Sequence, residues 1–449
     1  MSAAPRLGRP IRLAFGLALG AYLSLAAWLV WRTSILEPYS DMYDWIARYQ
    51  RLQADGDVGR YLWAPHNLHH LVWTFSILDL DIDAFGASSY LFLAVGVACL
   101  ATTAGLMAAL AAAAAGPGLR LVGAGVAAAL GLMGCHVLDA NADIETTYLH
   151  ALVFAVAAIV LAQAPARRRF AARAGALACA VAAGLGSAAG LAVWPAMLFV
   201  AWREGRRGWA VAVLATGAAF GLIYLGGEAG SGMAVAGPPG IARLSDAARL
   251  MLDYLGLPWT RGVHVGGVVG LAVLAMALVA VARRGGRDAS WPERAAVALI
   301  LFSLTTALMA GAARTTPGAP QIAPMRYAVF LIPLHVGLWI LALPYLKRAL
   351  LRWPRRAEAA ILAAAALMLV HQGVMAVFAV RTADANLRVV ADFRAGKRTP
   401  EMGTAIYVDL AQAQILSDRL RREGRYQREL RPDPPPVNGS GISASSTGR

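Results

Sequence analysis

The feature that most limits what this chain can become is a recurring apolar run, in each case about twenty residues or more, long enough to cross about 30 Å of hydrocarbon as a helix. Residues 11–31, 88–116 and 263–282 are such runs and carry almost no charge. No water is present in a bilayer core to bond free backbone groups. A spanning segment must therefore satisfy its own, and an uninterrupted run of this length does so as an α-helix. Only 15% of the chain is charged and 58% is hydrophobic, whereas a soluble chain is about 25% charged. Mean hydropathy is +0.55, and abundant Ala and Gly suit close helix contacts in lipid. The expectation is an all-α polytopic membrane protein.

The formal net charge of +15 raises the question of nucleic acid, because basic surfaces attract phosphate. The arginines, however, fall mainly in short segments between apolar runs, as cytoplasmic loops do. No nucleic-acid partner is expected. Basic clusters lie at Arg6, Arg9 and Arg12, at Arg120, at 167–169, at 203–207, at 283–294 and at 347–356. Placing all of them in the cytoplasm requires two crossings between neighbours. The runs supply them at 11–31, 88–115, 121–138, 147–164, 171–187, 189–202, 209–226, 263–282, 295–312, 327–346 and 359–380. About eleven transmembrane helices result, with the N-terminus cytoplasmic and the C-terminus outside. Residues 171–202 hold two short crossings with a turn at GLGSAAG, where glycine tolerates tight geometry. The first run is too long for a cleaved signal and is taken as an uncleaved helix. Cys99, Cys135 and Cys179 sit in apolar segments at unrelated spacings, so they form neither a disulfide framework nor a metal motif.

The expected division is a transmembrane domain over 1–380, with outer loops at about 32–87 and 227–262, and a non-cytoplasmic tail over 381–449. The tail holds a helical stretch around 402–424 and a disordered end. In residues 41–54, Met42, Trp45, Ile46 and Tyr49 recur at helical spacing and predict an amphipathic helix on the membrane surface. Residues 241–254 predict a second.

The first outer loop carries the chemistry. Asp41 and Asp44 are one turn apart at a predicted helix start, where a carboxylate serves as a cap, a general base or a metal ligand. His66, His69 and His70 follow, spaced to share a helix turn, which suits metal binding or donation to phosphate. His136, His150 and His264 are expected at the same face, with Asp139, Asp143 and Glu145 in a short loop. Arg314 and Arg326 break the cytoplasmic bias at the outer end of residues 327–346. Each either snorkels or holds a phosphate. Among nucleotide and protease motifs, no phosphate-binding Gly-rich loop, HExxH or nucleophile elbow occurs.

Four stretches carry a family resemblance: SDMYDW (40–45), W-x-x-H-N-x-H-H (63–70), GSAAGLAVWP (186–195) and R-x(11)-R-Y (314–327). Together they make the chain resemble polytopic membrane glycosyltransferases of the GT-C superfamily, in particular a bacterial branch, over residues 11–345. The family form of the second stretch is closer to HNEHR, and Leu68 and His70 depart from it. The resemblance implies inverting sugar transfer from a polyprenyl-phosphate donor to an envelope acceptor, outside the bacterial inner membrane. It implies Asp41 as base, with Asp44 second, and His66, His69, Arg314, Arg326 and Tyr327 around the donor. A divalent metal is left open. The rival is a transporter or flippase, which normally places ionisable groups near the bilayer midplane.

Overall fold

The computed structural model describes residues 7–36, 38–66, 69–137, 145–163, 169–226, 241–260, 265–284, 288–313, 325–400 and 402–426. Helix α1 (Arg9–Thr33) leads into a loop holding α2 (Met42–Asp55), α3 (Val58–Trp63), strands β1 (Pro65–His66) and β2 (His69–His70), and α4 (Val72–Phe85). The bundle continues with α5 (Tyr90–Ala115), α6 (Arg120–Gly131), α7 (Gly134–Val137), α8 (Thr146–Ala162) and α9 (Arg169–Gly184). Next come α10 (Val193–Arg203), α11 (Arg207–Leu225), α12 (Ile241–Thr260), α13 (Gly266–Arg284) and α14 (Trp291–Ala313). The last helices are α15 (Ile332–Arg352), α16 (Pro354–Arg394), α17 (Met402–Ala405) and α18 (Leu410–Arg422).

Among the described residues, seven helices are long and apolar enough to cross a membrane: α1, α5, α11, α13, α14, α16, and α15 with the 3-10 turn before it. Shorter apolar helices cover 120–131, 146–162, 170–184 and 188–203. Large apolar side chains stand outside the bundle, including Leu222 (75% exposed), Val268 (72%) and Leu367 (70%). In water such continuous apolar surface would drive association; in lipid it costs nothing. The protein is an all-α, multi-pass membrane protein.

The break within 171–202 follows from backbone proximity. α9 stops at Gly184, and a 3-10 turn at Ala188–Ala192 precedes α10. A Cβ on Gly190 would sit 2.1 Å from the carbonyl oxygen of Ala183, so only glycine allows the chain to fold back here.

Contacts between distant segments set the ends of the bundle. The Gly8 amide donates to Glu358 at 2.9 Å, while Arg32 pairs with Asp384 at 2.7 Å. Thus α1 and α16 run side by side in the same direction. The basic segments cluster at the end marked by Gly8. Lys347 donates to the carbonyl of Ala114 at 2.9 Å, Arg206 pairs with Glu204 at 3.0 Å, and Arg294 pairs with Glu204. The first loop and the end of α16 meet at the opposite end.

There they form a cap with its own apolar core. Met42, Trp45, Ile46 and Tyr49 are 0–1% exposed and pack with Phe75, Leu78, Phe393, Met402, Leu416 and Leu420. The helix expected at residues 41–54 is present, but its apolar face is covered by protein and not by lipid. The reason is α16: its 41 residues reach roughly 60 Å, about twice the hydrocarbon thickness. Its polar last turns carry the tail back over α2. The boundary expected at 380 falls inside this helix, and residues 427–449 lie outside the described part. Polar links fasten the cap: the hydroxyl of Tyr61 donates to Asp79 at 2.6 Å, and Arg425 donates to the hydroxyl of Tyr49 at 2.5 Å.

The helix expected at 241–254 extends to Thr260, and Tyr254, Leu255 and Leu257 are buried in the main core. It lies against α13 so closely that a Cβ on Gly270 would meet the carbonyl of Leu252 at 1.8 Å. This element packs into the bundle, because glycines on its neighbour let two backbones touch.

Candidate functional site

Where the cap rests on the bundle lies a cavity of about 320 Å³. Asp41, His66 and His69 line it from the first loop, and Arg326 and Tyr327 from the turn before α15. Ser187 borders it from the α9–α10 turn and Tyr148 from α8, and Met309, Ala310, Ala313 and Phe330 make an apolar wall.

Asp41 sits at the first turn of α2, but its carboxylate makes no capping hydrogen bond. Ser40 before it adopts a left-handed backbone (φ 55°), a strained state for a residue with a Cβ, and its amide bonds to the carbonyl of Ile406. The chain therefore enters α2 at an angle that turns Asp41 away from the helix and into the cavity. Its Oδ2 lies 3.3 Å from Nε2 of His66, and 41% of the side chain is exposed. The His66 hydrogen bond, foremost, and the charges of His66 and Arg326 hold the Asp41 carboxyl below the usual carboxylate range, although burial opposes them. Asp41 is thus a carboxylate at neutral pH with room for a proton donor beside it.

The histidines are not on a helix. β1 and β2 pair antiparallel, with His66 opposite His69 and Pro65 opposite His70. Side chains alternate across a strand, and directly opposed residues share a face. His66 and His69 accordingly point together into the cavity, while His70 points the other way. The helical spacing expected for this segment gives way because the hairpin is pinned from outside. Arg48 donates to the carbonyls of Ala64 (3.1 Å) and Pro65 (2.5 Å). The backbone amide of His70 donates to the Tyr224 hydroxyl at 3.1 Å. The amide of Ala188 donates to Nδ1 of His69 at 3.2 Å, and Val72 donates to the carbonyl of Leu185 at 3.0 Å. The α9–α10 turn is therefore a seat for the histidine hairpin.

Arg326 stands across the cavity beside the ring of Tyr327, 5.7 Å away. Its Nε is buried with no hydrogen-bond partner among the described residues. A buried guanidinium nitrogen left open is costly, and an anionic ligand is one way to satisfy it. Tyr327 is fixed by Tyr254, whose hydroxyl donates to its carbonyl at 2.7 Å. Its ring meets Tyr148 edge-on at 5.0 Å.

Asp44 is turned elsewhere and accepts from the hydroxyl of Tyr407. That carboxylate, after desolvation, helps push the Tyr407 hydroxyl up to about 12. Arg314, Asp139, Asp143 and His264 lie outside the described residues. His136 and His150 are 1% and 3% exposed inside the bundle. Among the described residues, no group of three or more His, Cys, Asp or Glu side chains could hold a metal ion. Trp45, Tyr148 and Tyr254 were missed from sequence. Trp45 carries a signal in its place one turn after Asp41; in the structure its ring meets His66 edge-on at 5.7 Å. Tyr148 and Tyr254 are brought in by folding alone.

Compared with known proteins, the chain matches no family model, and no curated protein or solved structure shows significant similarity to it.

Proposed function

We propose that the protein is an inverting membrane glycosyltransferase that takes a sugar from a polyprenyl-phosphate donor, a member of the GT-C superfamily. In this reading eleven helices cross a bacterial inner membrane, and the cap and both its chain segments lie on the non-cytoplasmic side. The observation that carries the proposal is the meeting of Asp41 with His66, His69 and Arg326 in one cavity. Three separate stretches of sequence contribute these groups, and a fourth seats the hairpin. An ionised carboxylate faces an arginine with an open Nε, beside an apolar wall that continues into the bundle. A phosphate linking a sugar to an apolar chain needs these three surroundings together.

The chemistry follows from the groups. Asp41 takes the proton of an acceptor hydroxyl, and the oxygen forms its bond to the anomeric carbon. The bond from that carbon to the phosphate oxygen breaks, its electron pair leaving with the lipid phosphate. Arg326 stabilises the growing negative charge on that phosphate, and the proton remains on Asp41 until solvent or the leaving phosphate takes it. His66 holds Asp41 ionised and oriented. The acceptor is an envelope glycan, lipid or protein. The test is transfer of labelled sugar from polyprenyl-phosphate donors to envelope extract by the purified protein, dependent on Asp41.

One observation favours the transporter alternative. Trp259, 42% exposed, joins two histidines within adjacent apolar helices: its Nε1 donates to His335 at 2.8 Å, and its ring lies 5.8 Å from that of His371. Movement of a substrate across sealed vesicles without covalent transfer would support it.

A further inference from the structure

The hairpin has a second face. Opposite His66 and His69, the pair Pro65 and His70 borders a separate recess of about 850 Å³, well within the size of ligand pockets, about 300–1,000 Å³. Its walls bring together Arg48, Arg51, Arg60, Tyr61 and Trp63.

Two of these arginines are unspent. Arg51 and Arg60 are exposed, and neither forms an ion pair within 4.0 Å among the described residues. Two carboxylates share the recess, leaving one positive charge in excess: Asp57 is engaged as the cap of α3, accepting from the Arg60 amide at 2.9 Å, and Asp55 is exposed at its edge. Arg48 is a fixed charge in the wall, tied to two carbonyls and lying 5.2 Å over the ring of Phe75. Burial foremost, and then the neighbouring Arg51 charge, holds its pKa down. Arg48, Arg51 and Arg60 thus line one recess, and the two exposed guanidinium groups have donors open to an anion.

The aromatic wall narrows the choice of anion. Trp63 is stacked on His70 with centroids 4.3 Å apart and planes at 19°, and the His70 ring is itself held edge-on by Tyr224 at 4.7 Å. A fixed, half-buried indole offers its electron-rich surface to the polarised C–H groups of a sugar ring. A free phosphate would use the arginines and leave the indole unused.

We propose that this recess binds an anionic saccharide, with its ring against Trp63 and its negative group between Arg51 and Arg60. If the transferase reading above holds, this ligand is a part of the acceptor glycan remote from the reacting hydroxyl, held behind the hairpin whose other face carries His66 and His69. Binding itself does not depend on that reading. Carboxylate and phosphate substituents share this chemistry, and two probes separate them.

The experiment is calorimetry on the purified full-length protein with trigalacturonate, glucose 6-phosphate, maltotriose and inorganic phosphate. At least one anionic saccharide should bind about tenfold or more tighter than maltotriose and inorganic phosphate. Arg51→Ala with Arg60→Ala should weaken it about tenfold or more, as expected for loss of charge-assisted hydrogen bonds. Asp41→Asn should leave the affinity unchanged, so failed transfer and failed binding are told apart. Trp63→Phe should remove a ligand-induced change in tryptophan emission. Overturning results are absence of binding by both anionic saccharides, equal binding of maltotriose or phosphate, or wild-type affinity in the double arginine variant with an unchanged melting temperature.

Discussion

The Nε2 atom of His66 lies 3.3 Å from Oδ2 of Asp41, across 25 positions of sequence. The pairing depends on a strained serine and a pinned hairpin. It leaves a carboxylate that could have capped a helix facing a cavity.

Because the Asp41 carboxylate makes no capping hydrogen bond, Asp41→Asn should cost less stability than the loss of a cap, about 1 kcal/mol. Membrane insertion and abundance should be unchanged. Sugar transfer should fall by about 10²–10⁴-fold, the typical worth of a general base. Thermal melting and a turnover assay on the same preparation check both halves.

His66→Ala should move the acid limb of the pH–rate profile upward. The Asp41 carboxyl is lowered chiefly by His66, so without it the carboxylate protonates at higher pH. A depressed carboxyl adds stability above its unfolded pKa and loses it as pH falls through the folded pKa. The variant should therefore lose stability at neutral pH and show a smaller fall on acidification. An unshifted acid limb would show that His66 does not set the base.

Arg326→Ala should lower kcat for a lipid-phosphate donor by about 10²–10³-fold, in line with removal of one electrostatic stabiliser. Arg326→Lys should recover only part, since an ammonium cannot reproduce the guanidinium fork. Steady-state kinetics with varied donor measure this; equal losses in kcat for both variants would leave charge without a role.

Leu420→Ala should destabilise the cap by about 2–5 kcal/mol, since Leu420 is fully buried against the first loop. Limited proteolysis should then cut near α2 while the transmembrane helices stay protected. Wild-type resistance to protease would contradict a cap built from both ends of the chain.

Residues 32 and 384 meet at one end of two parallel helices. Reporters fused after residue 60 and after residue 426 should therefore give the same, non-cytoplasmic signal. Opposite signals would overturn the shared face.

How much of this could be read from the chain depended on distance along it. The apolar runs are local, and the bilayer imposes one solution on them, so helices such as α5 and α14 were legible. The amphipathic spacing of Met42, Trp45, Ile46 and Tyr49 was legible too, but not what would cover it. Its partners, such as Phe393 and Leu420, lie some 350 residues away, and lipid offers an equally good apolar surface. The spacings of three and four between His66, His69 and His70 fit a helix turn, yet the residues lie on a hairpin. The two-residue strands are too short to show a period of two, and Arg48 and Tyr224 fix them from outside. Asp41 stands out as a carboxylate at a predicted helix start and Arg326 as an exception to the cytoplasmic bias of the arginines; the partners supplied by α8 and α12 carry no such signal.

The most direct measurement is transfer of labelled sugar from polyprenyl-phosphate donors by the purified protein and its Asp41→Asn variant, in one membrane extract. The expected result is a labelled envelope product from the wild type and none from the variant, with both folded alike. Equal product from both, or none from either across a panel of donor sugars, would contradict the central claim.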